Sequence, residues 1–302
     1  MSLKKETPSD VQLHLAAFQG ALGRLRRVLD SGKVHVDSKD QDGTTPLILA
    51  AAGGHMDCVR ELLEQGADPA ARRVTGTSAL FFAAQGGFLD VVQVLLDHGA
   101  PVDSPSVDGG TPLFVACQSG HIDVVKELVR RGAQVNAHMK DRATPLFIAA
   151  QNGHLKVLLF LLAQGARPDT RRTDGATPLW IAAQMAHDHI VRQLLKAGAS
   201  VDATRHDGAT ALFKAAHKGH ASVVEQLLKY RPSLGILPNG ESALHAAAMF
   251  GHVSVVKLLV GAGASPSLRN QEGVTALQLA REGRHTQVVD YLSSFALKQT
   301  HL

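Results

Sequence analysis

One leucine recurs at positions 47, 80, 113, 146, 179, 212, 244 and 277. Five consecutive steps are 33 residues, the next is 32 and the last is 33. The segments around it are variants of one phrase: DGTTPLILA, TGTSALFFA, DGGTPLFVA, DRATPLFIA, DGATPLWIA, DGATALFKA, NGESALHAA and EGVTALQLA. A second phrase follows, as in AAGGHMDCVRELL, ACQSGHIDVVKELV and AAQNGHLKVLLFLL. Leu13, in QLHLAAFQGALGRLRRVLDSG, opens a further, degenerate copy 34 residues before Leu47. Nine copies thus cover nearly all of the 302 residues. A fixed period of this size points to a stacked array, because one such unit buries too little by itself and must cover its neighbour's apolar face.

Each unit reads mechanically. Thr144 is an N-cap whose hydroxyl accepts from a free N–H of the first turn. Pro145 follows at the first helical position, where its missing N–H costs nothing. Leu146, Ile148, Ala149 and Ala150 make a short helix whose small residues allow close approach. Asn152-Gly153 ends it, glycine suiting a left-handed turn. His154 opens a second helix with Val157, Leu158, Leu161 and Leu162 inward, and Gly165-Ala166 closes it. The chain then extends to the next Asp-Gly turn.

Composition narrows the class. Apolar residues are 45% and charged residues 19%, which fits an ordered, soluble chain. Aromatics are only 4%, so the core is expected to be Ala, Leu and Val. The net charge of +4 is short of the excess that alone would indicate nucleic acid, which is not the expected ligand. Cys58 and Cys117 match no zinc or redox spacing. The opening MSLKKETPSD lacks the apolar core of a secretory signal, and no apolar run reaches the roughly 18–20 residues of a membrane helix. The expectation is a cytoplasmic protein, also nuclear, with no membrane insertion.

The 33-residue step, the TPL start, the GH break and the LLxxGA ending together resemble the ankyrin repeat family. The resemblance implies an all-α repeat solenoid: antiparallel helix pairs in an L shape, with β-hairpin-like loops along one edge. The expected organisation is an N-terminal tail at 1–8, one repeat domain at 9–294, and a C-terminal tail at 295–302. Its units lie near 9–40, 41–73, 74–106, 107–139, 140–172, 173–205, 206–237, 238–270 and 271–294.

Candidate sites are weighed against this frame. Seven histidines (His55, His121, His154, His187, His220, His252, His285) share one slot, about one repeat apart. That is too far for one metal held at about 2 Å by each ligand, so they are expected to close the inter-helix turn. No HExxH, Walker loop, GxSxG or dinucleotide fingerprint is present. Neither enzyme activity nor a cofactor is expected.

The family usually carries His after TPL, bonding across repeats. Here that slot holds Ile48, Phe81, Phe114, Phe147, Trp180, Phe213, His245 and Gln278. Five of the chain's thirteen aromatics stand in it, including the only tryptophan. Four residues on come Gln85, Gln118, Gln151, Gln184 and His217, on the same helix face. Two readings stand side by side: a packing and hydrogen-bond ladder, or a recognition strip. The second draws on the family resemblance, in which the first helices line a concave wall and the slots held by these glutamines commonly touch partners.

Arg72-Arg73, Lys140, Arg142, Arg171-Arg172, Arg205 and Arg269 fall at or beside the loop tips. Either they are solvated charge, or they present a directed field to an acidic protein segment. Two slots break local rules: Arg142 replaces the turn glycine and Ala186 the inter-helix glycine. If these need positive φ, each costs about 1 kcal/mol. The short link YRPSLGILPNG brings Leu234, Ile236 and Leu237 into a loop and is expected to alter curvature there. Leu159 and Phe160 stand on an outer helix at commonly polar slots. By family resemblance, Asn136 sits in the loop that an oxygen-sensing hydroxylase modifies on Asn in some members.

The functional expectation is a non-catalytic scaffold or adaptor, a monomer that grips a protein segment on its concave helix face and hairpin tips. The alternatives are a regulator of an acidic nuclear or nucleic-acid-associated partner, and a membrane–cytoskeleton linker.

Overall fold

The computed structural model describes residues 6–234 and 237–299. Ile236 and the outermost parts of both expected tails lie outside the described residues. Two compact units divide the chain, residues 1–166 and 167–302. Among the described residues there are helices and turns, with isolated bridges at Arg72–Ser78 and Arg269–Thr275 and no strand.

The first unit holds five helical hairpins: α1 (Pro8–Gln19) with α2 (Leu22–Asp30), α3 (Pro46–Ala52) with α4 (Met56–Glu64), α5 (Ala79–Gly86) with α6 (Leu89–Asp97), α7 (Pro112–Ser119) with α8 (Ile122–Arg130), and α9 (Pro145–Asn152) with α10 (Leu155–Ala163). The second holds four: α11 (Pro178–Gln184) with α12 (Asp188–Lys196), α13 (Ala211–Lys218) with α14 (Ala221–Leu228), α15 (Ala243–Met249) with α16 (Val253–Gly261), and α17 (Ala276–Glu282) with α18 (Thr286–Gln299). Within each unit the first helices pack on one another in sequence, and so do the second helices. The nine hairpins read from the period are therefore present as stacked repeats.

The local chemistry accounts for the helix ends. Thr45, Thr111, Thr144, Thr177 and Thr210 each accept the N–H of the third helical residue. Ser78, Ser242 and Thr275 do the same; like Thr210, they are followed by alanine rather than proline. Such a cap is worth about 1 kcal/mol. In α9 and α10, Leu146, Ala149, Ala150, Val157, Leu158 and Leu161 are all at most 1% exposed. Alanine at 149 and 150 lets neighbouring first helices approach closely. The second helices α2, α4, α6, α8, α10, α12 and α16 end in a left-handed glycine: after α8, Gly132 has φ 94°, and the Ala133 N–H then reaches back to Leu128 O at 3.0 Å.

The inter-helix glycine carries two constraints. Gly120 has φ 79°, and a Cβ built on it would lie 2.5 Å from Nδ1 of His154 in the next repeat. At Gly120 a left-handed backbone thus coincides with no room for a side chain. Ala186 occupies this slot in the second unit with φ 61°, and Arg142 holds the turn-glycine slot of the first with φ 68°. Both were legible from sequence. Arg231 at φ 49° and Arg284 at φ 57° were not foreseen; they stand in the corresponding helix-end and inter-helix slots. Ala186→Gly and Arg142→Gly are each expected to stabilise the protein by about 1 kcal/mol, read as a higher urea midpoint with an unchanged slope.

The short link loses its residue in one place. The Ser233 N–H still reaches Asp202 Oδ1 at 2.8 Å, as that of Ser200 reaches Asp169 Oδ1 at 3.0 Å. The Leu237 N–H still meets Glu241 O at 2.7 Å, as that of Arg205 meets Ala209 O at 3.0 Å. The deletion thus falls between Ser233 and Leu237, and the repeat register resumes on both sides. Leu234 and Leu237 are half-buried there.

Candidate interaction surface

The slot histidines bridge repeats; they do not merely close the turn between helices. His121 Nε2 lies 3.1 Å from Gln85 O, and His154 Nε2 lies 2.9 Å from Gln118 O. His55, His220, His252 and His285 make the same contact with Phe18 O, Gln184 O, His217 O and Met249 O. The acceptors are helix C-terminal carbonyls, which have no partner within their own helix. Sequence showed the histidine period but not this acceptor, because the acceptor lies some 36 residues away.

The glutamine slots then divide between backbone and side chain. Gln85 and Gln118 have their carbonyls occupied by histidine, and their side chains are exposed. Gln151 and Gln184 are half-buried in the same slots.

The aromatic slots divide by burial. Phe114, Phe147 and Trp180 are 5%, 2% and 2% exposed. Phe81 and Phe213 are half-buried. This corrects the recognition-strip expectation for the three central rings, which are packed into the fold and present no open face. The family's cross-repeat bond persists where histidine is kept: His245 Nε2 is 3.1 Å from Val274 O, and His14 Nε2 is 3.1 Å from Thr44 O. At Phe114, Phe147 and Trp180 buried aromatic area stands in that slot instead.

The tip cations are largely used within the fold. Arg73 donates to Thr44 Oγ1 at 3.0 Å and to Asp42 Oδ2 at 3.2 Å. Arg72 donates to Gly76 O at 2.9 Å and also to Pro105 O. Arg171 reaches Thr204 O at 2.6 Å, and Arg269 reaches Gly273 O at 2.6 Å. Arg172 grips Asp174 with bonds of 2.6 and 3.0 Å, and Arg205 stands 3.4 Å from the same carboxylate. The Arg172 hydrogen bonds, with help from the Ala176 N–H and the Arg205 charge, hold Asp174 down at about 2. Lys140 and Arg142 are exposed. The tips consequently offer a partner less unpaired charge than their arginine content suggests.

Asn136 is half-buried, and its Nδ2 donates to Gly165 O at 3.1 Å. Leu159 is 42% exposed on α10, with Phe160 half-buried beside it. Cys58 and Cys117 are buried free thiols, and burial pushes both above the ordinary thiol range. No helix among the described residues is long and apolar enough to cross a membrane.

Comparison with known proteins agrees with this geometry. The family model Ankyrin repeats (3 copies) matches residues 13–106, 101–172, 146–236 and 231–300. The chain is 54% identical over 68 residues to human Ankyrin repeat domain-containing protein 29, covering 22% of this chain and 23% of that one. The zebrafish (Danio rerio) protein of the same name is 53% identical over 68 residues, with the same coverage. Human DNA-binding protein RFXANK is 44% identical over 63 residues, which are 21% of this chain and 24% of that protein. The matched stretch thus spans about a quarter of the length of each of these relatives. With repeats matched from residue 13 to residue 300 and nine capped helical hairpins to account for them, the chain belongs to the ankyrin repeat family.

Proposed function

We propose that this chain is a non-catalytic scaffold or adaptor that holds a protein segment against its first helices, acting as a monomer in the cytoplasm and also in the nucleus. Ankyrin repeats in general mediate protein–protein interaction. The finer reading rests on one observation. Gln85 and Gln118 project exposed amides from α5 and α7, while the repeat-to-repeat bonding at these slots is done by their backbone carbonyls. An amide with two donors and an acceptor, on a helix held rigid by its neighbours, can bind a peptide backbone with little ordering cost. Phe81, half-buried one turn before Gln85, adds apolar contact, while Phe114 and Phe147 support the wall from inside. In the second unit, Gln184 and His217 hold the corresponding slots, with Trp180 and Phe213 one turn earlier. The hairpin tips, including Arg73, Lys140, Arg142, Arg172 and Arg205, supply the rim.

The test is proximity labelling in cells to identify a partner, followed by pulldown with Gln85→Ala plus Gln118→Ala. Weakened capture with a melting temperature equal to wild type is the expected result. Intact capture, or unfolding of the variant, removes the reading.

A second reading, a regulator of a nuclear or nucleic-acid-associated partner, is favoured by the likeness to DNA-binding protein RFXANK. Strongly salt-dependent capture of such partners would select it. Asn136 is proposed as a hydroxylation site on the family resemblance alone; a peptide mass with no added oxygen excludes it.

A further inference from the structure

Four residues after each first-helix cap stands an apolar side chain: Leu49, Phe82, Val115, Ile148, Ile181, Ala246 and Leu279. Val115, Ile148, Ile181 and Ala246 are 4–7% exposed. The exception is Lys214 in α13, half-buried in the same slot. It lies one turn from the helix N-terminus, where the dipole disfavours a cation. Among the described residues neither Lys214 nor the exposed Lys218 has an ion-pair partner. An isoleucine here, as at Ile181, would suit the fold better, since a half-buried ammonium without an anion is costly.

The surroundings of Lys214 gather donors. Its Nζ is 5.6 Å from the centroid of the Trp180 ring, and the Arg205 guanidinium carbon is 5.0 Å from the same centroid. The Trp180 indole N–H is buried and has no hydrogen-bond acceptor among the described residues. His217 stacks on Phe213 at 6.5 Å and meets Phe250 edge-on at 4.7 Å. Its Nδ1 is also buried without a partner among the described residues. Burial holds Lys214 below the ordinary lysine range, with Lys218 and Arg205 adding to this and Asp207 opposing it. Burial likewise lowers His217, aided by Lys214, Lys218 and His252 and opposed by Glu241. Asp174, the nearest carboxylate to Arg205, is already gripped by Arg172. Beyond the cations, Met185, Met249 and Phe250 are 46%, 47% and 46% exposed at the ends of α11 and α15.

We infer that Lys214, with Arg205 and Lys218, seats an Asp or Glu carboxylate of an acidic protein segment, whose neighbouring apolar residue rests on Met249 and Phe250. This deepens the reading of the first-helix wall as a binding surface and rests on it. It centres the acid-recognising charge on Lys214 in the wall of the second unit, with Arg205, which also stands 3.4 Å from Asp174 and 3.9 Å from Asp207, adding to it from the neighbouring tip. An extended nucleic acid fits less well, because the cations form one compact cluster beside an apolar rim and make no stripe of phosphate spacing. The placement of Lys214 exchanges stability for recognition.

Trp180 is the only tryptophan, so its emission reports on this site directly. The experiment titrates the full chain with short synthetic peptides of mixed Asp, Glu, Leu and Phe. Parallel titrations use the same peptides with Asn and Gln in place of the acids, inorganic phosphate, and a DNA duplex. The acidic peptides should give a saturable change in emission. Their affinity should fall by at least about tenfold in the amide series and again in Lys214→Ile, as expected for loss of a charge-assisted bond. The Lys214→Ile protein should melt no lower than wild type, and Lys214→Arg should retain binding. A lower melting temperature with undiminished peptide binding would make Lys214 a structural residue and overturn the proposal. So would preference for phosphate or duplex, or the absence of any response to the acidic peptides. If Gln184→Ala weakens the peptide and Lys214→Ile does not, the wall still binds and only the carboxylate seat is lost.

Discussion

Phe114→Ala is expected to cost the folded protein about 3–5 kcal/mol, while Gln118→Ala, one turn further along α7, changes stability by less than about 0.5 kcal/mol. Phe114 is 5% exposed and its slot cannot refill, because α7 is packed between α5 and α9. Gln118 contributes its carbonyl to Asn152 and His154 at 2.8 and 2.9 Å, and alanine keeps that carbonyl. Urea melts of the two variants separate the packing role from the binding role on one helix face. Equal losses for both would mean that the glutamine side chain belongs to the framework and that the wall is not free to bind.

Asp174→Asn is expected to cost about 1–2 kcal/mol at neutral pH, and the cost should vanish in acid. The folded carboxyl lies near 2, below its ordinary value of 3.8, so the unfolded chain takes up the proton first as pH falls. The stabilisation is therefore complete above about pH 4 and is lost as pH falls through about 2. The side chain is 28% exposed, which lowers the figure from the full shift through solvent screening. Denaturant melts of both proteins across this range should converge at the acid end. A gap that stays constant with pH would show that neither the arginine pairing nor the Ala176 N–H stabilises the charge, and that the loss arises from packing.

Much of the fold was legible because its signals are local. Thr144-Pro145-Leu146 carries a cap, a proline at its permitted position and a core residue in three consecutive letters. Gly109 and Gly120 mark left-handed turns, and Arg142 and Ala186 could be recognised as strained because they interrupt those two series. The candidate surface was legible only in part. The period placed Phe114 and Gln118 on one helix face, yet no property of either residue says which of them a neighbouring repeat will cover. Lys214 could have been found from sequence as the lone charge in an otherwise apolar series, but that comparison runs across repeats and was masked by the aromatic series beside it.

The sequence by itself determined the repeat, its caps, its turns and its family, since each depends on chemistry within one 33-residue period. Tertiary structure alone decided that the histidines bridge to carbonyls of the preceding repeat, that Arg172 and Arg205 converge on Asp174, and that Lys214 meets the face of Trp180. Those contacts join residues about one repeat apart, and only the stacking of one hairpin on the next sets their distance, burial and charge.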